Sequence, residues 1–273
     1  MNPSEKMPLN FPSGDGPPAV RNPEDARIDV VIPVLNEAHV LAKSVATVCD
    51  FLTNHCPYAW KILIVDNGST DNTADVARAL AAEHERVGFF FLEERGRGRA
   101  LREAWGRSTS DVALYIDVDL SPELAALPRL VDAVIREGYD ISTGSRLSKD
   151  SVITRSPKRE FISRVYNIFL KIVLRTRFSD AQCGFKAVSR RVVDELVPQV
   201  RDQSWFFDTE LLVLAEKQGY RIKDVPIIWV EDDDSRVKII PTALSNIAGV
   251  MRLRWKITRD RVRSLFSRER RQP

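Results

Sequence analysis

From residue 28 onward, short β-branched runs alternate with longer amphipathic ones, and this alternation restricts the possible folds more than any other feature. "IDVVIPV" (28–34) reads as a buried strand, and "EAHVLAKSVATVCDFLTNH" has helical spacing at Val40, Leu41, Val45, Val48 and Leu52. "WKILIVD" (60–66), "VGFFFLE" (87–93), "VALYIDVD" (112–119) and "YDISTGSR" (139–146) read as further strands. Between them lie three helical stretches: "STDNTADVARALAAEHE", "GRALREAWGRS" and "PELAALPRLVDAVIREG". The pattern predicts the α/β class, with a mostly parallel, Rossmann-like sheet covered by helices on both faces. In such sheets ligands gather outside the carboxyl ends of the strands.

After Arg146 the regularity loosens. "SPKREFISRVYNIFLKIVLRT" predicts a long basic helix, "FSDAQCGFKAVSR" a loop, "FDTELLVLAEKQG" a helix and "YRIKDVPIIWVE" one strand. From Ile239 the chain reads as helix, with an apolar stripe at Ile240, Leu244, Ile247, Met251, Trp255, Val262 and Phe266. That stripe either packs on the body or lies in the headgroup layer of a membrane. The expected organisation is a disordered segment over 1–27, an α/β domain over 28–240 and a basic amphipathic helix over 241–273.

Charge and cysteine usage narrow the function. A net charge of +3 excludes a uniformly basic nucleic-acid binder. Residues 252–273 nevertheless hold nine Arg or Lys against Asp260 and Glu269, which suggests an anionic surface as partner. Cys49, Cys56 and Cys183 have neither metal nor disulfide-framework spacing, so a reduced cytosolic setting is expected. The polar, Pro-rich start has no secretory pattern. No run of about 18 apolar residues is present to span a bilayer.

Four predicted strand ends carry polar groups to one edge of the sheet: "PVLNE", "VDNGSTDNT", "DVDLS" and "TGSR". In the third, Asp117 and Asp119 stand two apart. On a strand they would share a side and repel each other. Either a cation sits between them, or the stretch is a polar strand end that caps the helix after Pro122.

The combination "IPVLNE", "IVDNGSTDNT", "DVDLS" and "GSR" resembles the inverting family 2 glycosyltransferases of GT-A fold. "SDAQCGFKA" and "FDTELL" narrow the resemblance to the polyprenyl-phosphate (dolichyl-phosphate) sugar transferases. It implies nucleotide contacts from Pro33, Asn36, Glu37, Asp66, Gly68, Ser69 and Asp117, and a Mg²⁺ or Mn²⁺ held by Asp117 and Asp119, with Gln182 nearby. Ser121 stands where many relatives carry a Gln. In "ERGRGRALREAW", Arg97 or Arg99 would meet phosphate, with Gly96 and Gly98 allowing close backbone approach. Arg236 would close over the diphosphate.

On the acceptor side the resemblance implies that Arg146, Arg159 and Ser163 hold a lipid phosphate. Such a phosphate is already anionic, so a catalytic His is not required. Asp208 would meet the sugar hydroxyls or simply cap its helix; Asp180 and Glu210 have no assigned role. "DAQCGFK" is closer to the glucosyl-type relatives, which favours UDP-glucose over GDP-mannose or a UDP-N-acetylhexosamine. A processive synthase is unlike this chain, which lacks a Q-x-x-R-W motif; a nucleotide-sugar-binding protein without turnover is the rival reading. The expected partners are a nucleotide sugar, polyprenyl phosphate and the anionic cytosolic face of a membrane, with no nucleic acid.

Overall fold

The computed structural model describes residues 25–230 and 239–269. The residues before 25, Arg236 and the acidic run around it lie outside the described residues. Seven strands form the main sheet in the order β3–β2–β1–β4–β7–β5–β8. They are β1 (Arg27–Val34), β2 (Ala59–Asp66), β3 (Val87–Phe91), β4 (Val112–Ile116), β5 (Ile141–Ser145), β7 (Phe185–Ser189) and β8 (Ile222–Pro226). The apolar run of β1 buries both faces at the centre, in parallel register with β2 (Val34 opposite Asp66) and with β4.

Alternate side chains of the strands feed two cores. On one face Ile28, Val30 and Ile32 pack with α1 (Ala38–His55), α2 (Thr73–Glu83) and α4 (Leu127–Ile135). On the other, Val31, Leu63 and Val65 pack with α3 (Arg97–Arg107), α5 (Pro157–Leu174), α6 (Phe207–Lys217) and α7 (Ile239–Glu269). The expected α/β architecture with helices on both faces is what the chain forms.

Three local expectations are corrected. The loop expected over "FSDAQCGFKAVSR" contains β7, antiparallel between β4 and β5. Its short run carries Lys186, which hides a buried strand from any hydropathy pattern. The single strand expected over 220–231 is two: β8 ends at Pro226, and β9 (Ile228–Val230) pairs with β6 (Val152–Thr154) in a separate two-stranded sheet. The last helix docks through Asn246, Val250 and Leu253, while Leu244, Ile247, Met251 and Trp255 are exposed. The stripe read from the sequence therefore faces away from the body along these residues. Among the described residues no helix is long and apolar enough to cross a membrane.

Candidate active site

The carboxyl ends of β1, β2 and β4 open into a cavity of about 1650 Å³ that extends to α5 and α7. Of the sequence-predicted residues, Pro33, Asn36, Glu37, Arg97, Asp117 and Asp119 line it on the strand side. Arg146, Arg159, Ser163 and Gln182 line it on the α5 side. Six separate segments of sequence thus meet in one place.

Asp117 and Asp119 are not on a strand. β4 stops at Ile116, and residues 117–120 form a turn closed by Leu120 N–H donating to the Asp117 carbonyl at 3.1 Å, with Leu120 at φ +50°. The i, i+2 alternation of a strand therefore does not explain the pair; the turn does. Asp117 is tucked against β7: a Cβ at Gly184 would collide with its carboxylate, so only glycine leaves room. Asp119 is exposed, and its Oδ1 accepts the Ser121 N–H at 3.0 Å. One carboxylate oxygen of each accepts no protein hydrogen bond among the described residues. Hard oxygens of this kind suit Mg²⁺ or Mn²⁺, with phosphate oxygens completing the shell. Among the described residues no cluster of three His, Cys, Asp or Glu forms a cage.

Beneath Asp117 lies a buried charge network. Arg97 donates to Asp117 Oδ1 (3.0 Å), to Asp208 Oδ2 (3.1 Å) and to the Tyr115 hydroxyl (3.1 Å). Its guanidinium lies between the rings of Tyr115 and Trp205, at 4.9 and 5.0 Å. Desolvation would lower the Arg97 pKa, but Asp117, Tyr115 and Asp208 outweigh it and hold the group charged. Lys186, fully buried, pairs with Asp208 at 3.1 Å and donates to the Cys183 carbonyl at 2.5 Å. Burial pushes the Asp117 carboxyl above its ordinary range; Arg97 opposes this, and Asp119 and Asp208 add to it.

Several expectations change here. Asp208 is enclosed, accepts from Tyr115 at 2.5 Å and caps no helix, so it neither lines the cavity nor serves as an N-cap. Arg99 turns away and pairs with Glu94 outside the cavity. Gly96 lines the cavity, and both glycines also allow close packing: a Cβ on Gly96 would strike the Gln203 carbonyl, and one on Gly98 would come within 2.5 Å of Phe207. Gly68 (φ +77°) and Ser69 sit in the turn after β2, outside the cavity wall. Ser69 Oγ accepts the Asn36 N–H at 2.8 Å, which ties the two strand-end loops together. Asp66 is fully buried, with Oδ1 accepting the Ser69 N–H and Oδ2 without a partner.

On the far wall Arg146 is locked. Its Nε and Nη2 donate to the two carboxylate oxygens of Asp180 at 2.7 and 3.0 Å, and its plane lies 4.9 Å from the Trp229 ring. Burial would raise the Asp180 carboxyl, but Arg146 holds it down at about 2. Asp180 thus gains a role that the sequence left open. Ser163 Oγ is buried without a hydrogen-bond partner. Sequence reading missed Arg155, which lines the cavity and pairs with Glu160, as well as Trp205 and Trp229. Nothing in their local sequence marks them; the partners that give them meaning are remote in the chain.

The family described as "Glycosyl transferase family 2" matches residues 29–197. The chain belongs to glycosyl transferase family 2. It is 35% identical over 243 residues to glycosyltransferase AglD of Haloferax volcanii, across 88% of this chain but only 39% of that protein. It is 28% identical to the dolichyl-phosphate beta-glucosyltransferase of Saccharomyces cerevisiae, across 79% of this chain and 70% of that one. Among solved structures, glucosyl-3-phosphoglycerate synthase from Mycobacterium tuberculosis with UDP superposes with a TM-score of 0.64 at 22% identity, covering 83% of this chain and 79% of that one. The same synthase with Mn²⁺ and UDP-glucose gives 0.63 at 19% identity, covering 84% and 79%. The shared fold is GT-A.

Proposed function

We propose that this chain transfers a hexose, with UDP-glucose favoured as donor, to the phosphate of a polyprenyl phosphate. The transfer proceeds with inversion and depends on a divalent cation. The observation that carries this reading is one continuous cavity. It runs from Asp117 and Asp119, past Arg146, Arg155 and Arg159, to the apolar side chains Phe161, Val165 and Phe169 of α5 and Ile247 of α7. An acceptor with an anionic head and a hydrocarbon tail fits such a sequence of surfaces.

On this reading Asp117 and Asp119 would hold Mg²⁺ or Mn²⁺, with Gln182 nearby, and the bound cation would supply neutralising charge for the departing nucleoside diphosphate. Pro33, Asn36 and Glu37 form the nucleotide side, with Asp66, expected there too, buried behind the cavity wall. Arg97 keeps Asp117 oriented. Arg146, held by Asp180 and Trp229, presents its remaining Nη1 to the acceptor phosphate, with Arg159 and Ser163 Oγ as further donors. A phosphate oxygen attacks the anomeric carbon from the face opposite the leaving diphosphate. The bond to the diphosphate breaks with inversion, and no general base is needed. Catalysis is then positioning plus charge stabilisation. The relatives named for dolichyl phosphate support the acceptor class, and the synthase crystallised with Mn²⁺ and UDP-glucose supports the donor and metal. The basic, apolar α7 supports peripheral attachment to the cytosolic face of an anionic membrane.

A donor screen tests this: purified protein, polyprenyl phosphate, Mn²⁺ or Mg²⁺, and UDP-glucose against GDP-mannose and UDP-N-acetylhexosamines. Transfer from UDP-glucose that stops in EDTA is expected. Transfer that persists in EDTA refutes the metal assignment, and transfer only from another donor refutes the choice of sugar.

A further inference from the structure

A second, smaller cavity lies apart from the first, where α7 meets the segment leading into α6. It has a volume of about 60 Å³, room for one phosphate group and not for a nucleotide or a sugar. Its walls are Arg201, Glu210, Arg252, Trp255, Lys256 and Arg259. Among the described residues its lining thus carries four cations and one carboxylate. That carboxylate is committed: Glu210 Oε2 accepts the Asp202 N–H at 2.8 Å and Arg252 Nη2 at 2.9 Å. Lys256 and Arg259 are half-buried at this spot, while Arg201 and Arg252 reach it from exposed positions. Like charges drawn together and partly desolvated favour an anion between them.

The helix geometry indicates which anion. At about 100° per residue, Arg252, Lys256 and Arg259 fall on the flank of α7 between its docked side and its exposed stripe. The docked side is Asn246, Val250 and Leu253, and the stripe is Leu244, Ile247, Met251 and Trp255. The Arg259 guanidinium lies 4.8 Å from the Trp255 ring, so the basic wall and the apolar stripe adjoin. An anion seated here has exposed hydrocarbon directly beside it.

We propose that this cavity is a headgroup site, which takes the phosphate of an anionic membrane lipid whose acyl chains lie along the exposed stripe of α7. The assignment rests on the reading that this face meets a leaflet. It requires neither sugar donor nor polyprenyl phosphate.

The test is vesicle sedimentation of the full chain with phosphatidylcholine containing about 30 mol% phosphatidylglycerol and no polyprenyl phosphate. Wild type is compared with Arg201→Gln, which removes a cavity cation lying off α7, and with Arg254→Gln, which removes an exposed cation of α7 outside the cavity. A charge that acts only through the surface potential contributes about fivefold, so Arg254→Gln should lose about that and Arg201→Gln about twentyfold. Lys256→Gln repeats the cavity arm if a thermal melt shows Arg201→Gln misfolded. Equal losses for cavity and non-cavity variants overturn the site and leave diffuse attraction. Failure of wild type to bind any vesicle overturns the leaflet reading with it, while the donor screen stays unaffected. Inorganic phosphate alone separates the sources, and about 1 mM should leave the wild-type melt unmoved. Protection by that phosphate that Arg201→Gln lacks would make the occupant a soluble anion and overturn the lipid assignment.

Discussion

The two carboxylates at the end of β4 are held in opposite ways. Asp117 is fixed by Arg97, which is itself clamped between two aromatic rings and anchored to Asp208. Asp119 is exposed and, among the described residues, keeps a single turn hydrogen bond, from Ser121. Asp119→Ala should therefore abolish turnover while changing stability by no more than about 0.5 kcal/mol. Initial rates and a thermal melt on the same sample check both halves; full activity of the variant would remove Asp119 from the metal site. Asp180 gives a pH prediction. Its folded pKa is depressed to about 2 from 3.8, so its contribution is complete above pH 3.8 and fades as pH falls through 2. The shift corresponds to about 2 kcal/mol. Asp180→Asn leaves Arg146 buried without its partner and should cost about 3 kcal/mol or more near neutral pH. Denaturant unfolding at pH 7 and near pH 2.5 should show the gap to wild type narrowing at the lower pH; a constant gap would mean that Asp180 is not the ionised partner of Arg146. Residues such as Asp117, Arg146 and Asn36 were legible because they sit at strand ends, where ligands gather. Lys186, Tyr115 and Trp229 were not, since each draws its role from partners far away in sequence.

At the scale of elements, α6 is the piece that holds the network together. Every residue from Phe207 to Ala215 is buried, and its first turn carries Asp208 and Glu210. Two glycines let other helices press against that end: Gly98 of α3 meets Phe207, and Gly249 of α7 meets Phe206, each with no room for a Cβ. Gly249→Ala would put a methyl within 2.5 Å of a buried ring. Overpacking of this kind costs about 1–3 kcal/mol, against about 1 kcal/mol gained in helix propensity. A net loss of about 1 kcal/mol is expected, together with faster amide exchange along α7. Unchanged exchange would show that α7 does not depend on this contact. The early βαβ units were readable because both of their periods are clean. β7, β6 and β9 were not readable. They are three to five residues long, and β7 carries a buried lysine that only its far neighbours can neutralise.

At the scale of the whole molecule, the proposed membrane attachment needs a surface to carry it. The exposed face of α7 is one apolar row, and α5, which packs against α7, shows another at Phe161, Val165, Ile168 and Ile172. Phe161, Val165 and Ile247 belong to the walls of the large cavity as well, so these rows adjoin it. The sequence displayed the α7 stripe but could not say which way it faced, because Val250 and Leu253 make a second apolar arc on the same helix. Docking against α5 and α6 decides between them. Ile172 (73% exposed) and Met251 (56%) stand outside both cavities. Inserting such side chains into an acyl layer is worth about 1–2 kcal/mol each, and replacing them with Gln changes no internal contact of the core. The double variant Ile172→Gln, Met251→Gln should therefore fold normally, bind vesicles at least about tenfold more weakly and lose activity on a long-chain polyprenyl phosphate embedded in them. On a short, water-soluble polyprenyl phosphate it should match wild type, since donor site, arginines and cavity are untouched. Equal loss on both acceptors would place these residues in the chemistry, and no loss on either would overturn this face as the membrane contact.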